Sequence, residues 1–268
     1  MNDQKDLLNH PVFIVSTGRC GSTMLSRLLA IHPSLFVFNQ YPSLRTEAFV
    51  NWSAPGKRKL IEKRLRKKRD ELINTVRRNR FIYVENSTSA AFFMDELYRL
   101  FDAKFIYIFR DGRDFLRSGM SRDWYKPESL VNRIKAWIRR RFLIETGRDT
   151  SDTLLIPPAE YSTRFEKIAW RWAEVNRIIL DRLSFLPDDR KLTVRLEELN
   201  RESLTAIHNF LGVNADDALI NEMLGIANTR PNKTQKYEFP PYNEWSESEM
   251  QRFKEIAGDM MKRLGYSI

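Results

Sequence analysis

Two short stretches of this chain hold residue types able to grip an anion. The first is Ser16-Thr17-Gly18-Arg19-Cys20-Gly21-Ser22-Thr23-Met24, in which two glycines bracket an arginine. Glycine lets the main chain approach a ligand closely and take left-handed backbone angles. Ser22 and Thr23 add hydroxyl donors, and Arg19 adds a permanent charge on a planar fork. The second begins at Arg110, places Ser118 eight residues later and Arg122 beyond it. A charged fork with a hydroxyl donor suits a phosphate monoester dianion. The chemistry both stretches suggest is the binding and polarising of phosphate-like groups.

Such residues need rigid elements beneath them. Val12 to Val15 is a short apolar run rich in β-branched residues, which predicts a buried strand. After the glycine turn, Leu25, Leu28 and Leu29 recur at helical spacing. Strand, turn and helix together aim free backbone N–H groups and the positive end of a helix dipole at an anion. A Walker-type loop would need Gly-x4-Gly-Lys-Ser/Thr, but these glycines are three apart and Gly21 is followed by Ser22. A dinucleotide fingerprint, Gly-x-Gly-x-x-Gly, is also incomplete. Phe105 to Phe109 predicts a second strand running into Arg110, an Asp-Gly turn and a helix.

The order Gly-Arg-Cys-Gly-Ser-Thr-Met-Leu resembles the 5′-phosphosulfate loop of sulfotransferases, which use 3′-phosphoadenosine-5′-phosphosulfate (PAPS). Arg110 and Ser118 are similar to that family's 3′-phosphate motif. Arg122 matches an arginine that tyrosylprotein sulfotransferases place on the cofactor. The resemblance is to the tyrosylprotein and carbohydrate sulfotransferase type. It implies transfer of a sulfuryl group from PAPS to a hydroxyl or amine of a glycan, lipid or other small molecule, without a metal. It implies PAPS contacts from Gly18, Arg19, Cys20, Gly21, Ser22, Thr23, Met24, Arg110, Ser118 and Arg122, with Asn232 and Lys233 in a lid over 228–244, and a catalytic role for Arg19. Three family features are absent. Asn39 and Gln40 stand where a glutamate base is expected, leaving Glu47 as the nearest carboxylate downstream. Asn86 and Thr88 replace a Lys-Thr element and its following histidine. Leu196 stands where a tyrosine often meets the adenine. Glu85, at a strand's carboxyl end, is therefore a second candidate base or the ion-pair partner of an arginine.

Strands alternating with helices predict an α/β fold, a three-layer, doubly wound, mostly parallel sheet flanked by helices, with ligand at the carboxyl ends of the strands. The P-loop-like version of that fold is what the resemblance implies. Residues 1–268 read as one domain with a basic helical insertion at about 52–80. That insertion is electrostatically singular. Residues 57–80 hold twelve Lys/Arg and three acids, which accounts for nine of the chain's ten net positive charges. The rest is near neutral, so a general nucleic-acid surface is not indicated. Ile61, Leu65, Leu72 and Val76 predict the apolar stripe of a helix over 57–79. Its cations form either a solvated face or a docking surface for an acidic acceptor such as a polyanionic glycan, or for an anionic membrane.

Elsewhere, the chain predicts strands at 35–38, 81–84 and 191–196, and helices at 91–101, 130–144, 166–186, 203–211, 215–227 and 246–264. A loop at 146–162 is a candidate lining of the acceptor cleft. The single cysteine, Cys20, excludes an internal disulfide. His10, His32 and His208 lack metal-ligand spacing, and His32, before Pro33, reads as a structural helix-end residue. No long apolar run predicts a membrane span, and Met1 to His10 do not read as a signal peptide, so a cytoplasmic location is the expectation. Two other functions remain compatible with the residues alone: a degenerate P-loop kinase, and a non-enzymatic adaptor binding polyanions through 57–80.

Overall fold

The computed structural model describes residues 10–39, 58–122, 124–125, 157–229 and 239–268. Five strands form one sheet: β1 (Val12–Val15), β2 (Leu35–Asn39), β3 (Ile82–Asn86), β4 (Lys104–Phe109) and β5 (Lys191–Arg195). Their order is β2-β3-β1-β4-β5, and every pairing is parallel. Parallel neighbours require crossovers, which helices supply. Between strands lie α1 (Ser22–Leu29), α2 (Arg58–Arg78), α3 (Met94–Phe101), α4 (Gly112–Met120) and α5 (Arg164–Leu183), and after β5 come α6 (Arg201–Leu211), α7 (Asp217–Asn228) and α8 (Glu247–Arg263). The fold is thus a doubly wound, parallel α/β sheet of the P-loop-like kind. From central β1 the chain runs out to β2 and β3 on one side and to β4 and β5 on the other. Such a reversal opens a crevice beyond the carboxyl end of the central strand.

The two faces of the sheet are built from different residues. Side chains alternate along a strand, so Val12 and Ile14, Ile82 and Val84, and Ile106 and Ile108 share one face. They pack with Leu25, Leu28 and Leu29 of α1 and with Leu204, Ile207 and Met223 of α6 and α7 in an aliphatic core. The opposite face is aromatic. Phe13 lies 6.2 Å from Tyr83 and 6.1 Å from Phe105 by ring centroid, and Tyr107 stacks on Phe109 at 5.4 Å. Both faces are covered, so the strands read as near-continuous apolar runs.

By contact the chain divides into two compact units. The sheet, with residues 62–110 and 179–233, belongs to the first. The second holds residues 45–61, 111–178 and 234–268. Within it, glycines let α4 lie close to its neighbours: a Cβ on Gly112 would come 2.9 Å from Trp172, and one on Gly119 2.8 Å from Ile168. Helix α5 begins with a capping box. Thr163 Oγ1 accepts from the Glu166 N–H at 3.2 Å, and the Thr163 N–H donates back to the Glu166 carboxylate at 2.8 Å. With Arg252 also donating, the Glu166 carboxyl is held down to about 2. Trp245 packs against Phe165, Phe239 and Phe253.

Element boundaries differ instructively from expectation. β3 extends through Glu85 and Asn86, because Asn39, Val84 and Asn86 keep register across the sheet. The helix expected from Ala91 starts as a 3-10 turn, Thr88–Phe93, before α3 takes over. The stripe of α2 is also revised. Leu72 is only partly buried, and Ile73 takes its place beside Ile61, Leu65 and Val76. Between them sits Arg69, wholly buried despite its charge. The expected helix 130–144, the loop as far as residue 156, and most of the lid lie outside the described residues.

Candidate functional site

The β1–α1 turn sits at the carboxyl end of the central strand. Gly18, Arg19 and Gly21 all take positive φ, at 79°, 54° and 81°. For Arg19 this left-handed conformation is sterically unfavourable, and such strain collects at functional turns. The turn is braced internally. Ser16 Oγ accepts from the Gly18 N–H at 3.1 Å, and Thr17 Oγ1 lies 2.8 Å from Cys20 Sγ. A Cβ on Gly21 would collide with Leu196 Cδ1, so the absence of a side chain there admits Leu196 from the end of β5. Gly21 is the N-cap of α1, no side chain caps that helix, and no acid lies in its first turn. α6, α7 and α8 are instead capped by Asn200, Asp216 and Ser246. Among the described residues, the start of α1 therefore has neither a side-chain cap nor an acid in its first turn. That is the arrangement by which a helix start receives an anion.

Arg110 ties this turn to the adjacent strand. Its Nη1 donates to the Arg19 carbonyl at 3.1 Å. Its backbone also hydrogen-bonds the Cys20 thiol, which burial pushes up to about 11. A thiol so buried stays protonated at neutral pH, so Cys20 serves the turn by packing and by its main chain. Arg19 and Arg110 thus belong to one cluster, joined because β1 and β4 are neighbours in parallel register. On the other side of β1, Thr88 lies 3.8 Å from where a Cβ on Gly18 would stand. Two amides close this edge: Asn86 Nδ2 donates to Asn39 Oδ1 at 2.9 Å. In the sequence they stand only as replacements for residues of the family pattern. Their pairing depends on the β2–β3 register, which no local pattern encodes.

Ser118 is buried on α4 and Arg122 is exposed just beyond it, both within the second unit. Glu47, Asn232 and Lys233 lie outside the described residues.

Glu85 requires a correction. It is wholly buried, on the aromatic face of β3, and Arg69 of α2 grips it with two hydrogen bonds at 2.9 and 2.7 Å. The Tyr83 hydroxyl donates a third at 2.7 Å. Burial lifts this carboxyl's pKa, while the guanidinium pulls against that lift. Buried and gripped by Arg69, Glu85 takes the ion-pair role of its two expected readings, and that burial speaks against service as a base. Arg69 leaves the basic docking surface for the same reason. His32 is structural, as expected: its Nδ1 accepts from the Ser34 N–H at 3.0 Å and its Nε2 meets the Asn214 carbonyl at 3.0 Å.

No group of His, Cys, Asp or Glu able to hold a metal ion occurs among the described residues, nor does any helix there have the length and apolarity to cross a membrane. No curated protein matches the chain. Among solved structures it is similar to sulfotransferase STF9 from Mycobacterium avium, with a TM-score of 0.54 at 11% identity over 100% of this chain and 81% of that one. It is similar also to the sulfotransferase domain of the Synechococcus PCC 7002 olefin synthase, with a TM-score of 0.51 at 19% identity over 97% and 96%. A third is the sulfotransferase domain from the curacin biosynthetic pathway, with a TM-score of 0.50 at 19% identity over 97% and 98%. These likenesses speak for the fold. The model of the Sulfotransferase family matches residues 11–217, which includes the β1–α1 turn, Arg110 and all five strands, and the chain belongs to that family.

Proposed function

We propose that residues 1–268 act as one domain that transfers the sulfuryl group of PAPS to an acceptor hydroxyl or amine and releases 3′-phosphoadenosine-5′-phosphate. The observation that carries this reading is the uncapped, acid-free start of α1 beside Arg19, with Arg110 bound to the Arg19 carbonyl. These residues suit a nucleotide with anionic groups at both ends. The N–H groups from Cys20 to Met24 and the Ser22 and Thr23 hydroxyls hold the 5′-phosphosulfate. Arg110, with Ser118 and Arg122 at the family spacing, takes the 3′-phosphate. Asn232 and Lys233 of the lid add further contacts.

The sulfur–oxygen bond to the 5′-phosphate breaks as a bond from sulfur to the acceptor's oxygen or nitrogen forms. By analogy with phosphoryl transfer the step is in line and loose, and negative charge grows on the bridging oxygen. Arg19 and the N–H groups after it stabilise that charge where it develops. The acceptor's proton passes to a carboxylate, for which Glu47 is the candidate once Glu85 is committed to Arg69. No step in this scheme calls on a metal. A kinase reading lacks the Walker lysine, since Ser22 follows Gly21 directly.

The test is a thermal-shift titration with 3′-phosphoadenosine-5′-phosphate set against ATP with Mg²⁺. The first should raise Tm and the second should not, and Arg110→Ala should weaken the first by about tenfold or more. A larger response to ATP with Mg²⁺, or an unchanged dissociation constant in Arg110→Ala, would overturn the reading. A screen of labelled PAPS against glycans, lipids, phenols and peptides then identifies the acceptor.

A further inference from the structure

One surface of the first unit takes no part in the proposed transfer, where the chain leaving helix α2 runs through Arg80 and Phe81 to the β2 edge of the sheet. The apolar face of α2 is spent on the core, through Leu65, Ile73 and Val76. Its solvent side carries Lys63, Arg66, Lys67, Lys68 and Arg78, all exposed, and Arg80 follows at once; the one fully exposed acid in that span is Glu71. Asp70 lies 3.9 Å from Arg66 and offsets one of these cations. Arg80 runs directly into Phe81, and the Phe81 ring stands 6.1 Å from that of Phe36 on β2. Phe36 also touches Phe38 at 4.9 Å. Phe36 is nevertheless 47% exposed, one of few large apolar side chains left so open among the described residues.

We propose that this cationic helix and its aromatic corner dock the protein on an anionic lipid surface. A row of cations attracts a negatively charged bilayer, and an exposed aromatic anchor enters its interfacial layer; two such signals together give stable peripheral attachment where either alone is marginal. A polyanionic glycan would be served by the cations but would have no need of an exposed phenylalanine on the strand that Phe81 reaches. That favours lipid. Insertion of α2 itself is excluded, because its apolar stripe is already buried in the protein.

The experiment is vesicle co-sedimentation of the full chain, with phosphatidylcholine vesicles and with vesicles containing about a third phosphatidylglycerol, in low and high salt. Binding should appear only on the anionic vesicles and fall as salt screens it. The double variant Lys63→Glu/Lys67→Glu should bind at least about tenfold more weakly, each cation near such a surface contributing about fivefold. Phe36→Ser should keep the low-salt attraction yet lose the part that persists in high salt. Thermal unfolding of each variant, unchanged from the parent, establishes that the surface and not the fold was altered; Lys67→Gln with Lys63→Gln is the milder pair should charge reversal prevent folding. Failure to sediment with anionic vesicles would overturn the proposal. So would equal binding by the double variant, or retention on a heparin column without any vesicle binding, which would assign the surface to a glycan.

Discussion

Two strand-to-helix turns leave the sheet from neighbouring strands, and they treat their helix starts in opposite ways. At the β4–α4 turn the protein supplies its own anion: Asp111 caps α4, accepting from the Arg113 N–H at 2.8 Å and pairing with the Arg113 guanidinium at 2.6 Å. At the β1–α1 turn no side chain caps the helix, and the acid-free first turn lies beside two arginines. The backbone logic is the same in both, since a helix start offers unsatisfied N–H groups and partial positive charge. What differs is the source of the neutralising charge. The self-capped turn gains stability from its own carboxylate, while the open turn forgoes that gain, as the proposed anion site requires. Arg69 and Glu85 follow the first pattern in the core, where a cation of the basic helix is matched internally and withdrawn from solvent.

The comparison predicts its largest effect at that buried pair. Arg69→Ala strands the Glu85 carboxylate beneath α2 and should cost about 3–5 kcal/mol in urea unfolding, the range for breaking a buried ion pair from one side. Adding Glu85→Gln should recover part of the loss, since the amide still accepts from Tyr83 without a charge to desolvate. Loss of less than about 1 kcal/mol in the single variant would mean that Arg69 is not matched internally as described.

At the open turn, Arg19→Ala should lower kcat by about 10²- to 10³-fold, as removal of a donor to a developing oxyanion does, while changing nucleotide affinity far less. A kcat within about threefold of the parent would remove Arg19 from the chemistry.

The contrast sharpens if each turn is converted toward the other. Thr23→Asp places a carboxylate in the first turn of α1, which by the helix dipole should stabilise the fold by about 0.5 kcal/mol. It should also weaken 3′-phosphoadenosine-5′-phosphate binding by at least about tenfold through repulsion. Asp111→Ala, by contrast, should destabilise by about 1 kcal/mol, the usual cost of losing a cap. Calorimetric titration and unfolding midpoints on the two variants read out the opposite signs. A neutral Thr23→Asp in both assays would show that the start of α1 binds no anion.

The smallest effect concerns the far end of α1. His208 packs 5.5 Å from His32, and burial, then the neighbouring imidazole, lowers its pKa below the ordinary value of 6.5. The unfolded chain therefore binds the proton more readily. Stability is full above pH 6.5 and declines as pH falls from there toward the folded value. His208→Gln should flatten that limb of a Tm-versus-pH curve, and an unaltered limb would place the titration elsewhere.

Much of this molecule is written in local pattern. The β1 strand, the glycine turn and the leucines of α1 declare strand, turn and helix in succession, because each element has its own apolar period. Residue type, position at strand ends and family likeness make Arg19 and Arg110 candidate anion ligands. What sequence left open depends on which strands lie side by side. Only the order β3-β1-β4 brings Arg110 to the Arg19 carbonyl, and only parallel register sets Asn86 beside Asn39. The fate of Glu85 was likewise undecidable from the chain, since its partner sixteen residues earlier is one of twelve cations in a single basic run. Charge and spacing identify residues able to bind an anion. Packing decides which of them is withdrawn from solvent, as Arg69 is beside Glu85, because desolvation makes a buried charge take a partner.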